Sequence, residues 1–211
     1  MDEKKVFYDE ATDMNIIEHY DKLIEENNDP FRDPQILQDY MNKWDGPAFI
    51  DAMQLDKTKH VLEIGVGTGR LAKRVAPNCF KFVGIDISPK TIERARDNLR
   101  NFQNVILICS DFLKYKFEDR FDVVYSSLTM MHFEDKRQFI AKVDSVLMNG
   151  GIFCLSIDKR QEEYIEMQDR RIRIFPDTPS TVLSILAETN MLVNEQFETE
   201  FAIIFVCTKF K

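Results

Sequence analysis

From residue 58 onward the chain keeps one alternation, and this limits its fold more than any other feature. Short apolar runs rich in β-branched and aromatic residues (HVLEIG, KFVGIDI, VILICS, FDVVYSS, GIFCLSI) are separated by amphipathic stretches. Near-continuous apolarity in a short run suits a strand buried on both faces, as in a parallel sheet covered by helices. The intervening stretches read as those helices. In SPKTIERARDNLRNF, Ser88 stands as N-cap and Pro89 at the first helical position, with Ile92, Ala95 and Leu99 on one face. KRQFIAKVDSVLMNGG turns Phe139, Val143, Val146 and Leu147 inward and is expected to stop at Gly150. TPSTVLSILAETN opens on Thr178-Pro179 and is expected to close by Asn190. The tail, LVNEQFETEFAIIFVCTKF, is β-like throughout. Two strands joined that closely must run antiparallel, since a parallel return needs a crossover of a dozen or more residues. The pattern predicts a doubly wound α/β fold whose mostly parallel sheet has one reversed strand at its C-terminal end.

Before residue 58 the pattern is helical. IIEHYDKLIEE and PQILQDYMNKW carry apolar residues at helical spacing, and PAFIDAMQL forms a third short helix. Residues 1–57 therefore read as an N-terminal helical cap and residues 58–211 as the sheet domain. The charge follows the same division. Residues 1–57 hold 15 Asp and Glu against 6 Lys and Arg, a net of −9, whereas the whole chain is −8. An acidic lobe lacks the basic patch that a phosphate backbone requires, so no nucleic-acid partner is expected. Four cysteines without paired spacing suggest buried thiols in a reducing compartment and no metal site. With no apolar run of membrane-spanning length and a polar start, MDEKK, a cytoplasmic protein with no membrane partner is expected.

VLEIGVGTGR marks the ligand end of the sheet, because open α/β sheets bind beyond the carboxyl ends of their strands. Gly65, Gly67 and Gly69 let the backbone turn sharply and a ligand lie against it. A dinucleotide loop has the spacing G-x-G-x-x-G; here it is G-x-G-x-G, with Arg70 sixth. Glu63 before the loop would repel a pyrophosphate and accept an ammonium. Asp86 ends the second run, 19 residues after Gly67, where a carboxylate can accept both ribose hydroxyls. Asp111 with Phe112 closes the third, suited to an adenine ring and its amine, although an aspartate there also caps turns readily. Acceptors for an ammonium, a ribose and an adenine describe S-adenosylmethionine better than NAD.

From about residue 58 to the C-terminus the chain resembles the class I S-adenosylmethionine-dependent methyltransferases. VLEIGVGTGRLA resembles their first motif, VGIDIS the second, CSDF the third and FDVVYSSL the fourth, with NGGIFCLSI at the following helix-to-strand junction. The resemblance implies a seven-stranded sheet in which only the last strand is antiparallel. It also implies that Glu63 and the loop glycines hold the methionine part, Asp86 the ribose, and Asp111 with Phe112 the adenine, with Ile87 a further cofactor-binding residue. Ser126 and Ser127 end the fourth strand, where relatives contact cofactor and substrate. His132 stands where relatives acting on small molecules carry a histidine. Its ordinary pKa suits proton removal near neutrality, and packing of its loop is the alternative role. Met131 reads as pocket or core lining. Relatives also lay an N-terminal helix over the cofactor with a tyrosine reaching it, which points to Tyr8 or Tyr20; Tyr20 fits the apolar face of its own helix equally.

The predicted activity is methyl transfer by direct displacement. The fourth run ends in YSSL, unlike the Asn/Asp-Pro-Pro-aromatic motif of enzymes that methylate nucleobase or glutamine nitrogens, and no Pro-Cys pair offers a cytosine-attacking nucleophile. These absences favour a small-molecule or peptide acceptor. Arg170, Arg171 and Arg173, after the fifth run, either meet an acidic substrate or form a solvated face. A non-catalytic cofactor-binding or partner subunit on the same fold is the alternative of a different class.

Overall fold

The computed structural model describes residues 11–167 and 169–210. In chain order the elements begin with β1 (Thr12–Asp13), α1 (Ile16–Glu25), α2 (Gln35–Met41), α3 (Gly46–Asp51) and β2 (His60–Ile64). There follow α4 (Ala72–Val75), β3 (Lys81–Asp86), α5 (Pro89–Leu99), β4 (Val105–Cys109) and β5 (Phe121–Ser127). The remainder is α6 (Lys136–Val146), β6 (Leu147–Asp158), β7 (Tyr164–Met167), β8 (Arg170–Arg173), α7 (Pro179–Leu186), β9 (Met191–Glu198) and β10 (Ala202–Lys209).

Seven strands form the main sheet in the order β4-β3-β2-β5-β6-β10-β9. All neighbouring pairs from β4 to β6 are parallel, and β10 runs antiparallel to both β6 and β9. The expected reversed strand is β10, inserted between two strands of the opposite sense. Winding proceeds outward from β2 to β3 and β4, then returns to the other side of β2 with β5. The switch point therefore lies between β2 and β5, and a crevice opens there beyond the carboxyl ends of the strands.

The helices over this crevice start where their caps dictate. Ser88 Oγ accepts from Thr91 N–H at the head of α5, and Thr178 does the same for Thr181 at the head of α7, each with proline in the first turn. One face of the sheet packs Leu62, Ile64, Val124 and Leu155 against Phe139, Ile140 and Val143 of α6 and Val182 and Ile185 of α7. The other face packs Val61, Val123, Tyr125 and Cys154 against α4 and α5 together with Trp44, Phe49 and Met53. The last three residues precede position 58, so the N-terminal segment shares the core of the sheet it covers.

Two expectations are corrected, and one element is new. The helix expected to run to Gly150 ends at Val146, because Leu147 turns extended (φ −79°, ψ 136°) and pairs with Phe121 at the start of β6. Gly150 (φ +79°) instead lies within an irregular stretch of β6, where the register against β5 shifts between Phe121 and Val123. The segment after β6 forms a hairpin, β7–β8, that recruits β1 in parallel to make a second, three-stranded sheet. Arg170 in that hairpin is neither solvated nor substrate-facing: it is 1% exposed, and Nη1 donates to Glu26 Oε1 of α1 at 2.8 Å.

Candidate active site

A cavity of about 450 Å³ occupies the switch point. Its floor is the loop after β2. Gly65 (φ +77°) and Gly67 (φ +54°) take left-handed conformations that side chains disfavour, and both line the cavity. A Cβ on Gly65 would fall 2.0 Å from Thr129 Oγ1, whereas one on Gly67 would meet nothing within 4 Å. The first glycine thus admits the loop after β5, and the second leaves space for a ligand. Gly69 does neither: it faces Leu99 of α5, with 2.9 Å between its would-be Cβ and Leu99 Cδ1, and lies outside the cavity lining.

Asp86, at the end of β3, is held from both sides. Oδ2 accepts from Gly67 N–H and Oδ1 from Ser88 N–H, each at 3.0 Å. Burial pushes its pKa up, opposed by these backbone bonds and by one from Ile87. An ionised carboxylate has about four acceptor positions, more than these backbone groups fill, so acceptor capacity is left toward the cavity that Asp86 lines. Ile87, Ser110, Asp111, Phe112 and Leu113 extend this wall. Asp111 Oδ1 accepts from Leu113 N–H at 2.9 Å, and Oδ2 lies 3.3 Å from Lys114 Nζ. Asp111 therefore caps a turn and faces the cavity at once.

Glu63 stands behind the loop. On β2 it alternates with Ile64, which lines the cavity, and pairs across the sheet with Tyr125, whose hydroxyl donates to Glu63 Oε2 at 2.7 Å. Burial raises the Glu63 pKa to about 8 despite that bond and the nearby Arg70. Ser126 is fully buried, outside the cavity lining, and its Oγ has no hydrogen-bond partner among the described residues.

The opposite wall comes from the turn after β5 and from the N-terminal helices. Leu128 takes a left-handed conformation (φ 55°), which bends the chain sharply at the end of β5; Ser127, Thr129, Met131, His132 and Phe133 also line this side. Ile16 and Tyr20 of α1 and Met41 of α2 close it. The Tyr20 hydroxyl and His132 Nε2 are hydrogen-bonded at 2.8 Å, and His132 Nδ1 has no partner among the described residues. Burial, then the charges of Lys136 and His19, lower the His132 pKa to about 4, so its imidazole is neutral at neutral pH. Burial, then the charge of Asp86, raises the Tyr20 pKa and keeps its hydroxyl protonated. Tyr8 lies outside the described residues.

The sequence did not reveal the network that closes the far corner. Asp45, at the head of α3, is buried and accepts from Arg70 Nη1 at 3.1 Å, from Arg70 Nη2, and from Ser127 Oγ at 2.8 Å. Arg70, in the sixth position of the glycine loop, thereby binds the N-terminal segment to the floor. Asp45 before Gly46-Pro47 has the local signature of a helix cap, but nothing local marks its partners 25 and 82 residues away. Among the described residues, no group of three or more His, Cys, Asp or Glu could hold a metal ion, and no helix is long and apolar enough to cross a membrane.

Residues 62–155, which contain the floor, the wall from Asp86 to Leu113 and the turn after β5, match the family described as a methyltransferase domain. That match spans just under half of the chain. The fold around it is also that of solved methyltransferases. The N-methyltransferase NodS from Bradyrhizobium japonicum, in complex with S-adenosylhomocysteine, superposes with a TM-score of 0.66 at 17% identity, over 93% of this chain and 99% of that one. Among curated relatives, a malonyl-[acyl-carrier protein] O-methyltransferase from Ilyobacter polytropus is 28% identical over 121 residues, which is 56% of this chain and 46% of that protein. An uncharacterized methyltransferase from Alkaliphilus oremlandii is 33% identical over 120 residues, 56% of this chain and 54% of that protein. The chain thus spans about half the length of these relatives. The N-terminal helices that complete the cavity lie outside residues 62–155.

Proposed function

We propose that the protein transfers a methyl group from S-adenosylmethionine to a small-molecule acceptor. The observation that carries this reading is Asp86: a strand-end carboxylate fixed by two backbone N–H groups beside the open Gly67, with acceptor positions left toward the cavity. In this reading Asp86 accepts the ribose hydroxyls, and Ile87 and Phe112 flank the adenine. The free side of Gly67 admits the methionine backbone. These groups suit the methyl donor. When bound, S-adenosylmethionine supplies an activated methyl carbon to a displacement.

The chain's own contribution is alignment and exclusion of water, and orientation alone lowers such a barrier by roughly 7–11 kcal/mol. Residues 1–57 act as the cap, since Ile16, Tyr20 and Met41 close the cavity from above. His132 is the group placed to take a proton from the acceptor, as a neutral imidazole at the cavity wall. Tyr20 must yield its bond to Nε2 for this to occur. The acidic first segment and the closed cavity favour a small molecule over nucleic acid, and the reducing-compartment reading of the cysteines supports a cytoplasmic protein.

The test is incubation with methyl-labelled S-adenosylmethionine and a panel of small hydroxyl, amine and thiol compounds. Label in an acceptor is the expected result. S-adenosylhomocysteine binding with no transfer to any acceptor, including proteins of a cell extract, would replace the enzyme with a cofactor-binding partner subunit.

A further inference from the structure

The cavity has two chemically different ends. The end formed by β2, β3 and β4 carries Asp86 and Asp111, the groups assigned above to the methyl donor. The end formed by the turn after β5 and by α1 and α2 is left for the acceptor. Its apolar wall is Ile16, Met41, Leu128, Met131 and Phe133.

Among the described residues, the polar side chains at that end bond within the protein, and the atom they leave without a partner, His132 Nδ1, is buried. Ser127 Oγ donates to Asp45 at 2.8 Å, and Thr129 Oγ1 donates to the Ser127 carbonyl at 3.1 Å. Tyr20 and His132 bond each other at 2.8 Å. Among the described residues, the basic side chains lining the cavity are Arg70 and His132, and neither is a free cation. The Arg70 guanidinium is bound by both oxygens of Asp45, whose side chain is fully buried. His132 is neutral at neutral pH.

The cations of the adjoining segments are also engaged. Lys136 Nζ lies 3.0 Å from Asp177 and donates to the Met130 and Phe175 carbonyls. Arg170 is held by Glu26 and Arg171 by Asp13, while Arg173 lies over the Phe175 ring. Among the groups that line the cavity, the charge left uncompensated is therefore that of Asp86. An anion placed there would lose its hydration without gaining a partner, and would face the field of Asp86.

We infer that the β5 end of the cavity selects an uncharged, predominantly apolar acceptor with a single polar head, and rejects carboxylates and phosphates. This deepens, and rests on, the methyltransferase reading. It also separates this chain from the malonyl acceptor named in its curated relative, since a malonyl group ends in a free carboxylate.

The experiment uses the full chain saturated with S-adenosylhomocysteine. Calorimetry then compares para-butylphenol with para-butylbenzoate, and the monomethyl ester of a malonyl thioester with the free acid. The neutral member of each pair is expected to bind at least tenfold more tightly. Equal or tighter binding of the acids, or no binding by either neutral compound, overturns the inference while leaving the methyl-donor assignment intact. Failure of S-adenosylhomocysteine itself to bind in the first titration overturns the reading on which the inference rests.

Discussion

Replacing Asp86 with alanine separates the two roles of this carboxylate. In the protein it accepts from Gly67 N–H and Ser88 N–H at 3.0 Å each, and in the proposed complex it accepts the two ribose hydroxyls as well. A hydrogen bond to a charged group contributes roughly 1.5–3 kcal/mol. Loss of even one at the low end weakens binding about tenfold, and loss of both reaches a hundredfold or more. The same substitution strips two backbone donors of their acceptor, so it also lowers stability by about 1–3 kcal/mol. The assay therefore needs two readouts. Unfolding in urea, followed through Trp44, the single tryptophan and a buried one, establishes that the variant is folded. Titration calorimetry with S-adenosylhomocysteine then gives the affinity. Asp86→Asn is the control: its amide keeps the shape and one acceptor oxygen but turns a donor where an acceptor is needed, so it restores more of the stability than of the affinity. A folded Asp86→Ala protein whose affinity stays within twofold of the parent would refute the ribose assignment.

Other groups give equally sharp expectations. Glu63 has its pKa raised by burial from 4.5 to about 8, so the folded protein keeps a proton that the unfolded chain has lost across that window. Its contribution is fully present below about pH 4.5 and is lost as pH rises through about 8. Glu63→Gln should thus gain stability relative to the parent as pH rises through this window, by about 1.4 kcal/mol for each pH step of one. A flat difference between the two urea profiles contradicts this. The comparison must be a difference because His132, lowered from 6.5 to about 4, gives the opposite slope, losing stability as pH falls from 6.5 to about 4. Lys136→Met should cost about 3–5 kcal/mol by leaving Asp177 buried without its partner. The double variant with Asp177→Asn should recover much of that loss in the same unfolding assay, and no recovery would argue against the pair.

The parts of the fold legible in the sequence were those set by local chemistry. Ser88-Pro89 and Thr178-Pro179 start helices because a hydroxyl before a proline satisfies an exposed N–H wherever it occurs. The final antiparallel pair followed from the shortness of one connection. Misreadings came where partners are distant. Leu147 fits a helical face, but its pairing with Phe121 makes it strand. Arg170 sits in a charged stretch and reads as solvated until Glu26, 144 residues away, is placed against it. At the site, Asp86, Asp111, Phe112 and the first two loop glycines line the cavity as their strand-end positions implied. Gly69 faces α5 because the third glycine relieves helix packing. The pairing of Arg70 with Asp45 and of Tyr20 with His132 had no local signal at all. Both join the N-terminal segment to the domain, and only the fold brings them together.

All of the chemistry proposed for this cavity depends on its holding an S-adenosyl sulfonium and not a nicotinamide dinucleotide. Parallel calorimetric titrations of the unmodified protein with S-adenosylhomocysteine and with NADH distinguish the two. Saturable, single-site binding of S-adenosylhomocysteine is expected, with no saturable heat from NADH. Saturable binding of NADH with none of S-adenosylhomocysteine would contradict it.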